Sequence, residues 1–170
     1  MHLDLLEQAE QLAALDPKRP RQANLRRAIS AAYYAVFHSL VDEACASQLG
    51  AQHDQARFRH VLGRAYTHAT MKNACASFRG GTLKASVQKG LPTGFTIPAE
   101  IQEVAQNFVE LQESRHLADY DLTERFRRSE VQALIRNTRQ RLEAFTQLAS
   151  SNEKKFFLAC LWAWKELTNR

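Results

Sequence analysis

Two ionisable residues near the end of one predicted amphipathic helix continue the period of its inward-facing apolar residues. The apolar residues that set this period are Ile101, Val104, Phe108 and Leu111. Arg115 and Asp119 follow on the same stripe, and the i, i+4 spacing lets the two charges pair. Burying either charge alone would cost several kcal/mol, so each is the expected partner of the other. Ionisable groups therefore stand where packing alone would favour leucine, and this pair is the first candidate site.

A second candidate site lies on the helix predicted for residues 54–78. Arg57, His60, Arg64 and His68 recur at i, i+3, i+7 and i+11, which aligns two arginines and two histidines on one flank. Such a flank could bind phosphates, and a histidine beside an arginine could transfer protons near neutral pH. The alternative is an ordinary solvated helix face, since many surface helices carry polar stripes.

The net charge of +5 conceals an uneven distribution along the chain. Residues 17–41 contain five basic residues and no acid, and residues 55–99 contain seven basic residues and no acid. Arg26 and Arg27 lie in the first turns of a predicted helix, where they oppose the helix dipole, and this indicates an anionic partner or an acid from elsewhere in the fold. If the two segments are close in space they attract phosphate, and otherwise they are separate solvated faces.

Composition and cysteine usage limit the classes of protein that fit. A chain of 170 residues without internal repeats is expected to form one domain over residues 1–170. Cys45, Cys75 and Cys160 are odd in number and widely spaced, which favours reduced, buried thiols over a disulfide framework or a metal site. No apolar stretch approaches the roughly 18 residues of a membrane span, and the acidic amino terminus is unlike a signal peptide. We expect a cytoplasmic protein without a membrane partner or a cofactor.

A long helix predicted over residues 26–48 is the element that must position the candidate residues. Two large-residue stripes run along it, and small residues between the stripes would let neighbouring helices approach closely. The first stripe consists of Leu25, Ile29, Ala32, Val36 and Leu40. The second consists of Ser30, Tyr34, Phe37 and Val41. A helix covered on two sides is typical of a bundle centre, so we expect an all-α fold around it.

Further helices are predicted over residues 2–14, 54–78, 129–149 and 152–169, and from Pro98 onward. Their expected inward residues include Leu5, Leu12 and Leu15 in the first helix and Phe58 and Leu62 in the third; Ser129 is the expected cap of the helix that follows it.

Residues 79–98 contain four glycines and two prolines and predict a long irregular loop, either a flap over a basic surface or a disordered segment. The last helix carries apolar residues on several sides, which indicates cover from its own domain and from a second subunit.

Two stretches resemble the signature segments of HEPN domains. Residues 26–38 read RRAISAAYYAVFH, and residues 115–121 read RHLADYD. The resemblance covers roughly residues 5–148 and implies a helical bundle, frequent homodimers and a role with RNA or nucleotides. It also implies toxin–antitoxin or phage-defence systems, in which the partner would be a cognate antitoxin or a nucleotidyltransferase-like protein.

The chain departs from the ribonuclease members of that family at one position. Those members carry an arginine, four to six residues and then a histidine, whereas the residue at four-residue spacing from Arg115 is Tyr120, and no histidine follows it. Metal-independent RNA cleavage needs one group that deprotonates the 2′-hydroxyl and one that protonates the leaving 5′-oxygen. A tyrosine is a poor base at neutral pH, and an arginine partner weakens Asp119 as a base.

We therefore expect a dimeric HEPN-type module that binds RNA or nucleotides without efficient catalysis. One alternative is a diverged ribonuclease toxin that uses Arg115 with Asp119 or Tyr120, or the His60 and His68 flank. Another is a non-catalytic protein-interaction domain. Following the resemblance, the candidate catalytic residues are Arg115, Asp119 and Tyr120. The candidate nucleic-acid or nucleotide-binding residues are Arg26, Arg27, Arg57, His60, Arg64 and His68.

Overall fold

The computed structural model describes residues 2–169 and confirms an all-α architecture. In this part of the chain there are eight α-helices, one 3-10 turn and no strand. The helices are α1 His2–Ala14, α2 Gln22–Leu49, α3 Ala56–Gly63, α4 His68–Phe78, α5 Ala85–Gln88, α6 Ala99–Tyr120, α7 Arg128–Gln147 and α8 Asn152–Thr168, and the 3-10 turn is His53–Gln55. No helix within residues 2–169 combines the length and apolar character needed to cross a membrane.

Helix α2 lies at the centre of the bundle and contacts α1, α3, α6, α7 and α8. All five residues of its first predicted stripe are buried, and the small residues beside them are buried as well. The second stripe is covered in part, because Ser30 and Val41 are buried while Tyr34 and Phe37 are half-buried. The prediction of a central helix covered on two sides is therefore confirmed, with bounds that extend four residues earlier than expected.

The single helix predicted for residues 54–78 is wrong. The chain forms a 3-10 turn, then α3, and begins a new helix at His68, where the Thr67 side chain accepts a hydrogen bond from the Thr70 backbone N–H. No residue of α3 is buried, and Phe58, expected in the core, is 63% exposed. The physical reason is that α3 packs mainly on α2, so only the side of this short helix that faces α2 is covered.

Residues 79–98 are mostly irregular, as predicted, but they are anchored. The segment contains the short helical turn α5. Leu83, Val87 and Ile97 are buried, and the side chain of Gln102 donates a hydrogen bond to the Ile97 carbonyl. Apolar side chains spaced through the segment fix it against the bundle, which argues against a mobile flap.

The outer helices differ from expectation in detail. Helix α1 buries Leu6, Ala9 and Ala13, while Leu15 is exposed. Ser129 lies inside α7 and does not cap it; the capping position is Arg127, which makes no side-chain cap. In α8 most apolar residues are covered by the same chain, and Trp162 and Leu167 are the large ones left exposed. All three cysteines are buried and free, as predicted.

Lys154 connects α8 to the centre of the bundle. Its side chain is 9% exposed, and its Nζ lies 3.0 Å from a carboxylate oxygen of Glu43 on α2. The same Nζ donates hydrogen bonds to the carbonyls of Phe145 and Leu148, where α7 ends. A cation at the carboxyl end of a helix compensates the unpaired carbonyls and the negative end of the helix dipole.

Candidate functional site

Helices α2 and α6 run antiparallel and bring the two signature stretches together. Arg26, near the start of α2, donates a hydrogen bond to the carbonyl of Ala118, near the end of α6. Further along α2, the ring of Tyr33 lies 5.6 Å from that of Phe108, which comes earlier in α6. Within this contact Asp119 is bound from both sides. Its Oδ2 accepts a 2.8 Å hydrogen bond from Arg115 Nε, and its Oδ1 accepts a 2.8 Å hydrogen bond from Ser30 Oγ. The predicted i, i+4 ion pair is therefore present, and Ser30 orients it.

The Arg115 guanidinium lies at the edge of the bundle over two aromatic rings. Its Cζ is 5.5 Å from the Tyr33 centroid and 5.3 Å from the Tyr34 centroid. The Arg115 side chain is 21% exposed and that of Asp119 is 26% exposed. Only Nε bonds to Asp119, and the two terminal nitrogens have no hydrogen-bond acceptor within residues 2–169. Several N–H donors of a fixed cation are thus available to an anion that approaches from solvent.

Two histidines from other parts of the chain lie around the aromatic rings that Arg115 contacts. His68, the first residue of α4, places its Nδ1 2.6 Å from the Tyr33 hydroxyl and its ring 4.4 Å from that of Phe37. His38, one turn beyond Tyr34 on α2, has its ring 6.1 Å from the Tyr34 ring and nearly parallel to it. Burial, the charge of Arg115 and the charge of His38 all lower the pKa of His68. His68 is therefore mainly neutral at pH 7.

Arg26 is not available to a ligand, contrary to expectation. Its two terminal nitrogens donate to the carbonyls of Ala118, Asp121 and Glu124 at 2.7, 2.9 and 2.7 Å, with a longer contact of 3.4 Å to a fourth carbonyl. The guanidinium also lies 5.5 Å from the centroid of the Phe126 ring. Arg26 thus compensates the carboxyl end of α6, and neither a ligand nor an acidic side chain is needed to explain its position.

The other predicted binding residues lie in separate places. Arg27 is exposed and lines a groove of about 400 Å³ between α1 and α2, which Tyr34 also lines. His60 and Arg64 line a groove of about 550 Å³ between α2 and α3, together with His38. Arg57 is exposed on α3. The four-residue flank predicted from the spacing is therefore broken, because His68 belongs to α4 and lies in the Arg115 cluster.

Tyr120 occupies the position where the family histidine would fall, and it lies apart from the ion pair. It is the last residue of α6, is 67% exposed, and has its ring 5.0 Å from that of His116. It makes no hydrogen bond to Arg115 or Asp119. The structure thus brings Arg115 and Asp119 together and leaves Tyr120 at the solvent edge.

Several residues of the cluster were not singled out as site residues from the sequence. They are Ser30, Tyr33, Tyr34 and His38, all on one stretch of α2. The signal that could have identified them is their place in the 26–38 motif, where polar and aromatic side chains alternate with small and aliphatic ones. Periodicity assigned Ser30 and Tyr34 to packing, and it gave no role to the hydroxyl groups.

Comparison with protein-family models, with curated proteins and with solved structures produced no match. Among residues 2–169, no group of three or more His, Cys, Asp or Glu side chains is arranged to hold a metal ion.

Proposed function

We propose that this chain is a HEPN-like module that binds RNA or nucleotides through a phosphate group at Arg115. One observation carries the proposal: Asp119, itself bonded to Ser30, holds Arg115 in place from one side, while the terminal nitrogens of Arg115 remain partly exposed over Tyr33 and Tyr34. A guanidinium that is fixed and still open on one face is suited to phosphate recognition. Residues from both stretches that resemble the family meet at this point.

The surroundings of Arg115 favour a nucleic-acid or nucleotide ligand over a purely structural ion pair. A structural pair would be expected in the interior with every donor bonded, because burial without partners is costly. Here the half-buried Tyr34 presents an aromatic ring beside the cation, and rings of this kind stack on nucleobases. His60 and Arg64 add positive or protonatable groups along the neighbouring groove on α2. In this proposal the protein acts mainly as a binding module, alone or with a partner protein.

The test is binding of a fluorescent single-stranded RNA oligonucleotide at low salt, measured by anisotropy. Arg115→Ala is expected to weaken binding by roughly tenfold or more, since a charge-assisted pair of hydrogen bonds is lost. Arg136→Ala is the matched control, because Arg136 is an exposed arginine on α7 and its loss changes the net charge equally. Equal binding by both variants and the wild type would contradict the proposed site.

A ribonuclease activity is the second candidate, and the proximity of His68 to both Arg115 and His38 favours it. Two imidazoles could share the base and acid roles that the position of Tyr120 does not supply. Cleavage of the same oligonucleotide in the presence of a metal chelator, lost in Arg115→Ala, is the result expected of a ribonuclease. Intact RNA after prolonged incubation with an otherwise competent binding protein would restrict the function to binding.

A further inference from the structure

Tyr33 and His68 form a hydrogen bond in which the tyrosine hydroxyl is the donor. Tyr33 is fully buried, and the only hydrogen-bond partner of its hydroxyl within residues 2–169 is Nδ1 of His68, at 2.6 Å. Burial raises the pKa of Tyr33 well above its usual value, so the phenol keeps its proton. A buried hydroxyl left without an acceptor is unfavourable, so Tyr33 donates to Nδ1. The neutral imidazole of His68 must then carry its proton on Nε2.

The free Nε2–H of His68 lies in a cationic, carboxylate-poor environment. The titratable and charged groups that face the ring are Tyr33, Tyr34 and His38 from α2 and Arg115 from α6. No carboxylate within residues 2–169 hydrogen-bonds to His68 or forms an ion pair with it; Asp119 is occupied by Arg115 and Ser30. The ring is only half-buried, so an anion bound to Arg115 can come within reach of Nε2.

We propose that His68 is a second ligand-contacting residue of this site, and that its Nε2–H, oriented by Tyr33, donates to a phosphate oxygen held by Arg115. This inference rests on the proposed function and adds to it a second donor with a fixed tautomer. His38 lies beside the same position on α2.

Proton linkage follows from this arrangement. In the free protein, the positive neighbours disfavour the imidazolium form of His68; a bound phosphate favours it and so raises the pKa of His68. Binding therefore takes up protons, and affinity increases as the pH falls through the bound-state pKa. When His68 is protonated, its Nδ1–H donates to the Tyr33 oxygen and the Tyr33 hydroxyl proton loses its acceptor, which further disfavours the imidazolium in the free protein. Nε2–H faces the ligand in both states.

The experiment measures the affinity for single-stranded RNA from about pH 7.5 to about pH 5.5, a range that spans ordinary histidine titration. The wild type is expected to bind roughly tenfold tighter at the lower pH. His68→Gln keeps an amide donor near the Nε2 position and does not titrate, so most of this pH dependence should be lost while affinity near pH 7.5 stays within about threefold of wild type. His53→Gln removes an exposed histidine of the 3-10 turn, outside the proposed site, and should behave like the wild type.

Two further measurements separate this inference from the proposed function. Nitrogen-15 NMR of the imidazoles should show the Nε2–H tautomer for His68 in the wild type and loss of that preference in Tyr33→Phe; an Nδ1–H tautomer in the wild type would overturn the inference. If Arg115→Ala abolishes RNA binding but His68→Gln keeps the full pH dependence, the proposed function stands and the role of His68 is wrong.

If the wild type binds no RNA, the proposed function fails. Titration with inorganic phosphate then decides the inference alone. A chemical-shift change at His68 that is absent in Arg115→Ala supports it, and no change at His68 overturns it.

Discussion

The adjacent arginines Arg26 and Arg27 should contribute very differently to the stability of the protein. Both precede the aromatic part of the same motif, and the sequence assigns them the same function. In the structure they differ completely: Arg26 donates to backbone carbonyls at the end of α6, whereas Arg27 is exposed beside the groove between α1 and α2. We predict that Arg26→Ala destabilises the protein strongly and that Arg27→Ala does not.

The magnitude follows from the contacts of Arg26. Three of its hydrogen bonds are 2.7 to 2.9 Å long, and each links a charged donor to a neutral carbonyl. Such bonds contribute about 1.5–3 kcal/mol when buried, and partial exposure reduces this to about 1 kcal/mol each. The free energy of unfolding should therefore fall by about 3 kcal/mol. For a chain of this length that corresponds to a decrease in Tm of about 6–12 °C. An exposed arginine such as Arg27 should change stability by less than about 0.5 kcal/mol.

The assay is urea-induced unfolding of the two variants and the wild type, followed by circular dichroism at constant pH and salt. Arg26→Lys is a third variant, and we expect it to recover little, because one ammonium cannot occupy the positions of both terminal nitrogens. Equal midpoints for Arg26→Ala and Arg27→Ala would refute the assignment of Arg26 to the end of α6. Full recovery by lysine would show that charge alone matters there, without the forked geometry.

Three other outcomes are expected. Lys154→Met should lower the free energy of unfolding by about 2–4 kcal/mol, because Glu43 and two carbonyls lose their cation. Lys155→Met changes an exposed neighbour, and its urea denaturation should match that of the wild type. Because the folded state lowers the pKa of His68, stability should decrease as the pH falls below about 6.5, and urea midpoints of His68→Gln should show a smaller decrease. Light scattering at micromolar concentration should give a dimer mass, given Trp162 and Leu167 exposed on α8; a monomer mass would contradict that expectation.

The helices and the local ion pair were predictable because they depend on short-range periodicity. The stripes of α2 and the inward residues of α6 repeat at helical spacing, and burial follows directly from that repeat. Arg115 and Asp119 are four residues apart on one helix, so their contact needs no knowledge of the fold. The sequence predicts one helix over residues 54–78 because apolar residues recur at helical spacing across this range. Thr67, a good helix N-cap, marks the start of α4 within it.

The composition of the candidate site depended on contacts between distant parts of the chain. Ser30 reaches Asp119 across 89 residues, and Tyr33 meets His68 across 35. No local pattern states which helix will pack beside a given face, so the sequence could not show that His68 leaves the Arg57 flank and joins Arg115.

The sequence alone therefore determined which side chains carry charge and which helix faces avoid water. Only the tertiary structure decided which charged groups are already hydrogen-bonded within the protein and which remain available to a ligand. Arg26 and Arg115 illustrate the difference, since both are arginines in the motif-like stretches. The terminal nitrogens of Arg26 are hydrogen-bonded to carbonyls that come close only when α6 packs against α2. Arg115 keeps its terminal nitrogens toward solvent because Asp119 bonds only to its Nε. Hydrogen-bond saturation is a property of the packed backbone, and helical periodicity does not encode it.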